Sequence, residues 1–346
     1  MRRPVSGAPS SILLIADPGL PAEVAERLSD SLPKALREWA PGTGDWVVST
    51  RRDSYPFDDQ AEFVEAIRAV DPAGETEDIV VYLTDLPRRV GTTPLIVDIS
   101  LRCRFGLISI PGVGGWFIDR RVRRLVQTVV TEVTEGQQPP SAQRLTRKRE
   151  EDVVRYFAPK TLSRLRLLTG MVYANRPWGL AAGLSKVLMA AFATGAVSLA
   201  YPTIWQLSAT MGPWRLTAAT TLASAAMIAW LILDHKLWER PQSPEERERA
   251  ALYNAATVVT LTIGVAVLHV GLFLLLLLTA WWTLPPRLVA QNIGHPVGIS
   301  ALLMLAWLAA AVATLGGALG SGLEDNEAVK AAAYGVRQRR RFDQSR

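Results

Sequence analysis

Three aspartates stand where a carboxylate could carry out acid or base chemistry. Asp17 and Asp85 each follow an apolar run, SILLIA and DIVVYLT, and Asp98 interrupts a third run, LIVDIS. Carboxylates that converge at the end of a sheet can hold a cation or act as general acid and base. The alternative for each is structural: Asp17 and Asp85 precede proline-containing turns whose amides they can accept, and Asp98 can be a buried, paired acid.

A second candidate is the glycine-rich segment IPGVGG, which runs from an apolar strand into a helix. It contains Gly112, Gly114 and Gly115, and the helix behind it carries Arg120 and Arg121 in its first turns. Amides at a helix start, together with these two guanidinium groups, can bind a phosphate or a carboxylate. The spacing matches neither GxGxxG nor GxxxxGK[ST], so a plain tight turn is the alternative.

The histidines and the cysteine argue against a metal centre in the first half of the chain. His235, His269 and His295 all lie beyond residue 230, and Cys103 is the one cysteine of the chain. A single cysteine rules out an intramolecular disulfide and is typical of a reducing compartment. We predict no metal site, and the residues indicate no particular cofactor.

The elements that must position these residues alternate between strand and helix over residues 1–136. Apolar runs at 11–16, 45–50 and 78–84 predict strands, and two helical segments separate them. The runs 94–100 and 105–110 are joined by only LRCR, which is hairpin length, and an amphipathic helix follows. The predicted order is βαβαβββα, an α/β domain whose mostly parallel sheet has an antiparallel edge.

The layout of YLTDLP, LIVDIS and GLISIPGVGG before a helix is similar to that of zincin-type metalloproteases, the archaemetzincins in particular. That family carries HExxH on the helix, where this chain reads Thr131-Glu-Val-Thr-Glu135. Both ligand histidines are missing, so the resemblance implies a catalytically inactive relative without an imidazole-bound zinc.

The second half of the chain contains long segments without Asp, Glu, Lys or Arg. They cover residues 187–214, 216–233, 250–286 and 288–323, and each approaches or exceeds the roughly 20 residues that a membrane helix needs. We therefore predict an all-α four-helix transmembrane bundle within residues 178–323, with spans at 183–207, 214–234, 255–282 and 297–320. Residues 137–177 are predicted to be a linker and a basic juxtamembrane helix, and 324–346 a basic tail.

Charge predicts the orientation of these spans. Basic residues concentrate before the first span, in the 234–249 loop and in the RQRRR tail, whereas the intervening turns hold one arginine each. With four spans all three basic segments lie on one side, as the positive-inside rule requires. We expect a multi-pass protein of the cell membrane with both termini cytoplasmic.

Partners can be predicted for two surfaces. The basic segment Arg144–Arg166 is expected to bind anionic lipid headgroups next to the bilayer, and a solvated basic helix is the alternative. On the fourth span Ala306, Ala310, Ala313 and Gly317 form a small-residue face that can pack within the bundle or form a homo-oligomer. No nucleic-acid partner is expected.

The chain resembles uncharacterised bacterial integral membrane proteins that place a cytoplasmic α/β domain before a small bundle. The resemblance lies in LTDLPRR, PLIVDIS and the tail LEDNEAVKAAAYGVRQRRR, and it implies no known activity. We expect a membrane-anchored binding or regulatory module whose ligand or partner meets the sheet edge. The alternatives are a membrane-tethered hydrolase-like enzyme that uses that edge, and a small transporter centred on His269. For His269 itself we expect a hydrogen bond to a Ser or Thr of a neighbouring helix rather than a role as a proton relay.

Overall fold

The computed structural model divides the chain into two compact units, with the boundary between Ala174 and Asn175. It describes residues 11–39, 46–57, 59, 61–90, 93–159, 163–177, 185–241, 243 and 246–320. The predicted basic tail, 324–346, and Lys160 lie outside these residues. Each unit is described by itself.

The first unit is built on a mixed sheet. Its strands follow one another as β1 (Ser11–Ala16), β2 (Val47–Arg52), β3 (Ile79–Thr84), β4 (Arg89–Val90), β5 (Thr93–Ser100), β6 (Phe105–Ser109), β7 (Thr146–Glu150) and β8 (Val153–Phe157). The spatial order is β2-β1-β3-β6-β5-β8-β7, and β4 pairs with β5. Strands β2, β1, β3 and β6 are parallel, and the pairings from β6 onwards are antiparallel.

Helices cover both faces of this sheet. They are α1 (Leu20–Ser29), α2 (Leu32–Trp39), α3 (Phe63–Val70), α4 (Ile110–Val113), α5 (Ile118–Glu135) and α6 (Ser163–Ala174). Because side chains alternate along a strand, Ile12 and Leu14 pack with the core under α1, α2 and α5, whereas Leu13 and Ile15 pack with the core under α3. A strand buried on both faces explains the continuous apolar run SILLIA.

The antiparallel part of the sheet is larger than a single edge, so the prediction of a mostly parallel sheet is not confirmed. A helix was predicted within the basic segment, but residues 146–157 form strands β7 and β8, and only Ser163–Ala174 is helical. The β-branched and aromatic residues of VVRYF favour a strand, and the surrounding charges hid that signal. The compact unit therefore extends well past residue 136.

The second unit consists of apolar helices. They are α7 (Ser185–Leu199), α8 (Pro202–Thr210), α9 (Pro213–Asp234), α10 (Arg247–Thr283), α11 (Pro286–Ile293) and α12 (Ile299–Gly320). Three of them, α9, α10 and α12, are long and apolar enough to cross a membrane. Helices α7 and α8 would count as a fourth crossing only if they form one broken span, because the two are bent by 87°.

The bend between α7 and α8 has a local cause. Pro202 begins α8, where the lack of an amide hydrogen costs nothing, and a proline cannot continue the preceding helix. The Leu199 carbonyl, at the end of α7, accepts a hydrogen bond of 2.8 Å from the Trp205 indole. In a membrane an unpaired carbonyl at such a break would be costly, and this bond satisfies the Leu199 carbonyl.

The small-residue face of α12 packs against its own chain. Ala306, Ala310 and Ala313 are buried. A Cβ built on Gly317 would lie 3.0 Å from the Ala191 Cβ of α7, so the two helices approach closely at this point. The intramolecular alternative for this face therefore accounts for its composition.

Candidate functional site

Asp17 lies at the carboxyl end of β1 and is completely buried. Its carboxylate accepts hydrogen bonds from the Tyr82 hydroxyl, from Thr84 Oγ1 at 2.6 Å and from the Asp85 amide at 3.1 Å. These donors belong to β3 and to the turn that follows it. Through these hydrogen bonds the carboxylate connects the ends of the parallel strands β1 and β3. This is the structural alternative considered for Asp17.

Asp85 lies next to Asp17 and is also buried, with 3% of its surface exposed. The neighbouring Thr84 hydroxyl accepts the Leu86 amide at 3.1 Å while donating to Asp17. The structure thus brings two of the three predicted acids together at the carboxyl ends of β1 and β3. Neither carboxylate is exposed at the surface of that edge.

Asp98 occupies a different position, inside the sheet on β5, and is 1% exposed. Its Oδ2 lies 3.2 Å from Arg88 Nε, and its Oδ1 lies 3.5 Å from Nε of Arg155, its register partner on β8. Burial raises the pKa of the Asp98 carboxyl, and the two guanidinium groups oppose that shift without cancelling it. Within the described residues no hydrogen bond reaches Oδ1.

Arg88 links Asp98 to the carboxyl end of the parallel strands. Its side chain is nearly buried, and Nη1 donates to the Ala61 carbonyl at 3.1 Å. Its amide donates to the hydroxyl of Ser109, the last residue of β6. Arg88 thus forms a buried network with Asp98, the Ala61 carbonyl and the Ser109 hydroxyl. This network holds loops to the sheet.

The glycine-rich turn offers carbonyls rather than free amides to its surroundings. Arg166 Nε donates to the Gly112 carbonyl at 3.0 Å, and Arg121 Nη1 donates to the Val113 carbonyl at 2.7 Å. Helix α6 covers the turn so closely that a Cβ on Gly115 would lie 2.8 Å from the Thr169 carbonyl oxygen. Gly114 has φ +88°, a conformation that favours glycine. Arg121 and the glycines therefore cap α4 and pack against α6.

The start of α5 is the exposed part of this connection. Trp116 and Phe117 are 70% and 78% exposed, and Phe117 adopts a left-handed conformation with φ 53°. Arg120 and Arg124 are exposed one helical turn apart, and no side chain caps the first amides of α5. We call Trp116, Phe117, Arg120 and Arg124 the α5 tip. Sequence reasoning included Arg120 but missed the two adjacent aromatic residues that follow the glycines.

The helix compared with HExxH has a structural acid. Glu132 is 1% exposed and accepts two bonds from Arg147 of β7, at 2.7 and 2.9 Å, and one from the Tyr156 hydroxyl of β8. Burial and the bond to Glu132 raise the pKa of Tyr156. Across the described ranges, no cluster of three or more His, Cys, Asp or Glu side chains is placed to hold a metal ion.

The basic segment is largely engaged inside its own unit. Arg147 pairs with Glu132, Arg155 lies between Asp98 and Glu150, and Arg166 caps carbonyls of the glycine-rich turn. The Lys148 ammonium lies 5.6 Å from the centre of the Phe157 ring. The exposed basic side chains of the segment that the structure describes include Arg144, Arg149 and Arg164.

In the second unit, the prediction that His269 bonds to a Ser or Thr of a neighbouring helix is confirmed. Its Nδ1 lies 2.9 Å from Thr314 Oγ1, which joins α10 to α12. Because the Thr314 hydroxyl donates its one hydrogen to the Ala310 carbonyl at 2.8 Å, the imidazole is the donor through Nδ1. The ring is thereby fixed in one tautomer between two helices.

Among the residues that the structure describes, those of the second unit line at least two cavities. One of about 200 Å³ lies between α8, α11 and the start of α12, where Trp205, Ser208 and His295 line it. The other, of about 670 Å³, is a mainly apolar groove along the first turns of α10, lined by residues such as Trp238, Arg247 and Val258. Asn254 in this groove is held by the backbone of Glu239, to which it bonds at 2.8 and 2.9 Å.

Comparison of the chain with protein-family models, with curated proteins and with solved structures found no match. Its function is therefore argued from the geometry of its own residues. That geometry buries the predicted carboxylates and exposes the α5 tip.

Proposed function

We propose that the protein is a multi-pass membrane protein whose first unit is a binding or regulatory module rather than an enzyme. The observation that supports this is the burial of Asp17, Asp85 and Asp98, each with less than 4% of its surface exposed. Asp17 and Asp98 are engaged by donors from their own unit, so they stabilise the fold. A carboxylate in that state is poorly placed to meet a substrate.

The module binds through the α5 tip. Its residues follow β6, one of the parallel strands, and so lie in a connection at the carboxyl end of that strand. Open α/β sheets bind their ligands at that end. The proposed ligand therefore still lies at the sheet edge that the sequence predicts. It contacts exposed aromatic and basic side chains there instead of the buried acids.

A specific observation favours an enzyme as the second candidate. Asp98 Oδ1 has no hydrogen bond from a described residue, and burial raises the pKa of this carboxyl. A carboxyl with a raised pKa can act as a general acid or base at neutral pH. Such an enzyme would need a movement that opens the sheet near Arg88 and Arg155.

For the second unit we propose four spans, with α7 and α8 as one broken crossing, packed as a helical bundle in the cell membrane. The clustering of basic residues before α7 and between α9 and α10 supports a cytoplasmic position for those segments. Both termini would then be cytoplasmic. The exposed arginines Arg144 and Arg149 would add attraction to anionic headgroups.

The proposed binding function can be tested by photo-crosslinking in cells. A benzophenone amino acid at position 120 should give an adduct with a protein or with a lipid, identified by mass spectrometry, and the same group at Arg68, an exposed arginine on α3, should not. The adduct should disappear when Trp116 and Phe117 are both replaced by serine, because the aromatic rings supply the apolar contact. Absence of an adduct at position 120, or equal adducts at both positions, would contradict a binding role for the tip.

A further inference from the structure

The α5 tip exposes apolar surface in a unit whose other large apolar side chains are mostly in the two cores. Trp116 and Phe117 are neighbours in sequence and are 70% and 78% exposed. Single exposed apolar residues are ordinary, but two large adjacent rings at the apex of a connection form a patch. Such a patch is typical of a surface that a binding partner or a membrane covers.

The backbone under this patch is strained. Phe117 has φ 53°, which for a residue with a Cβ is an uncommon conformation, and the cost is normally avoided by glycine or asparagine. Gly114 and Gly115 immediately precede Trp116, yet position 117, where a glycine would avoid the strain, holds phenylalanine. The strained conformation holds a large ring outward at the entry of the helix, and strain of this kind is typical of functional positions.

The charge around the patch is positive. Arg120 and Arg124 are exposed on one face of α5, and neither guanidinium has a salt-bridge partner among the residues that the structure describes. Phe117, at the N-cap position, makes no side-chain hydrogen bond to the first amides of α5. A helix start adds a partial positive charge to that of the two arginines. The α5 tip therefore matches an anionic group beside an apolar layer.

We propose that the α5 tip inserts its two rings into the interface of a bilayer that contains anionic lipid, with Arg120 and Arg124 at the headgroup phosphates. This inference rests on the proposed binding function and names its ligand. Aromatic rings favour the boundary between headgroups and acyl chains, and basic residues beside them are attracted to negatively charged headgroups. The phosphate groups that the two arginines contact thus belong to lipid headgroups and not to free phosphate in solution.

Two observations favour lipid over an acidic protein partner. The chain carries helices that are long and apolar enough to span a membrane, so on the proposed topology this unit is tethered to a bilayer. In sequence, ten residues separate Ala174, the last residue of α6, from Ser185, the first described residue of α7, so the tether is short. A tethered surface needs little intrinsic affinity, because the connection raises its effective concentration at the bilayer.

The test uses the full chain with Cys103→Ser, placed in nanodiscs of phosphatidylcholine with or without phosphatidylglycerol. Phe117→Cys carries an NBD fluorophore, whose aromatic ring replaces that of phenylalanine. The matched control carries the label at Val47→Cys, an exposed apolar position 63% accessible at the opposite end of the parallel strands. A fraction of the lipid bears a nitroxide near the headgroup, which quenches fluorophores at the interface.

We expect stronger quenching at position 117 than at position 47, and a further increase when phosphatidylglycerol is present. Arg120→Glu with Arg124→Glu should remove that increase, since it reverses the charge that attracts the lipid. Equal quenching at the two positions would overturn the inference, and so would a signal at position 117 that is insensitive to phosphatidylglycerol.

Iodide quenching from solution separates the inference from the proposed function. A label at position 117 that is shielded from iodide but not quenched by nitroxide lipid, together with a protein adduct at position 120, would leave the binding module standing and exclude lipid as its ligand. A label that is open to iodide, with no adduct at position 120, would contradict both. Trp116→Ser should reduce lipid quenching at position 117 without lowering the thermal stability of the protein, because Trp116 is exposed.

Discussion

At the scale of single residues, the main question is whether Asp98 serves the fold or chemistry. Its carboxylate is buried between Arg88 and Arg155, and burial outweighs both charges in its pKa. Removing one member of a buried pair is costly mainly because the other charge is left without a partner. Arg88 is the partner that this loss would affect most, because only 7% of its side chain is accessible to solvent.

If Asp98 is structural, Asp98→Asn should lower the free energy of unfolding by about 1–2 kcal/mol, because the amide keeps some of the hydrogen bonds. Asp98→Leu should cost about 3–5 kcal/mol, because Arg88 then lies buried without its carboxylate partner. Thermal unfolding of the first unit, expressed to residue 177, measures both. The control is Asp119→Asn, which breaks the exposed pair with Arg27 and should change stability by less than about 1 kcal/mol. An Asp98→Asn variant as stable as the wild type that fails to bind at the tip would favour a functional acid.

The raised pKa of Asp98 also gives a pH dependence. A carboxyl whose pKa is higher in the folded state favours folding when it is protonated, so this contribution is present at acid pH and is lost as pH rises through the folded-state pKa. Asp98→Asn should remove this slope, since its amide does not titrate. The unfolding midpoints of the two proteins should be compared from mildly acidic to neutral pH. A wild-type protein that gains stability relative to Asp98→Asn as pH falls would agree, and the opposite trend would contradict the assignment.

Part of the environment of the three aspartates could be predicted from the sequence. Asp17 and Asp85 were expected at strand ends because each follows an apolar run, and both lie there, whereas the partner of each acid could not be predicted. The donors to Asp17 come from β3, and Arg155 reaches Asp98 only because β8 pairs with β5. Pairing between strands that are distant in sequence is set by the three-dimensional fold, and a single sequence carries no signal for it.

At the scale of elements, the hairpin β7–β8 decides where the first unit ends. Its strand β8 pairs with β5, and its residues Arg147 and Tyr156 hold the buried Glu132 of α5. Without the hairpin, β5 would become an edge strand and Glu132 would be a buried acid without those donors. Both changes are destabilising.

A fragment that ends at residue 136 should therefore fail to fold, whereas one that ends at residue 177 should unfold cooperatively. Circular dichroism and thermal melts of the two fragments make the comparison. Within the longer fragment, Arg147→Ala should lower stability by about 1–3 kcal/mol, since it leaves Glu132 partly unsatisfied, and Arg149→Ala on the same strand is the exposed control. A stable, monomeric fragment of residues 1–136 would mean that β7 and β8 are not part of the folding unit.

The core elements of the first unit were predictable because their patterns are strong. Buried strands β1, β3 and β6 read as continuous apolar runs, and α5 has a clear apolar stripe. The strand β7, with the sequence TRKRE, is almost entirely exposed and has no apolar alternation. Its conformation follows from pairing with β8, so tertiary context overrides what its own residues favour.

At the scale of the whole molecule, the number of crossings depends on the pair α7–α8. If the pair is one broken span, the 234–249 loop and the tail share the side of the first unit. If it is a re-entrant element, α9 becomes the first complete crossing, and the loop and the tail lie on the opposite side. The two arrangements exchange the sides of every later loop.

Single-cysteine labelling in a Cys103→Ser background distinguishes them. With four spans, an impermeant maleimide applied to intact cells should label Gln291→Cys, in α11 between α10 and α12, and should not label Ser243→Cys or Ser345→Cys. Permeabilised cells provide the control, since all three positions should then react. Labelling of positions 243 and 345 in intact cells, with protection of 291, would establish the re-entrant arrangement and contradict the proposed cytoplasmic tail.

Helix α10 is 37 residues long, which corresponds to about 55 Å, whereas the hydrocarbon layer of a bilayer is about 30 Å thick. Buried residues recur from Ala250 to Ala280, so α10 packs against its own unit along its length, and its polar contacts at Asn254 and Thr260 lie in the first half. The segment from Leu261 to Thr283 carries no Asp, Glu, Lys or Arg, its His269 is bonded to Thr314, and its length is close to membrane thickness. As a proposed membrane span that is longer than the hydrocarbon layer, α10 would accommodate thinner or thicker bilayers by changing its tilt. We therefore expect the protein to tolerate hydrophobic mismatch across membranes of different lipid composition.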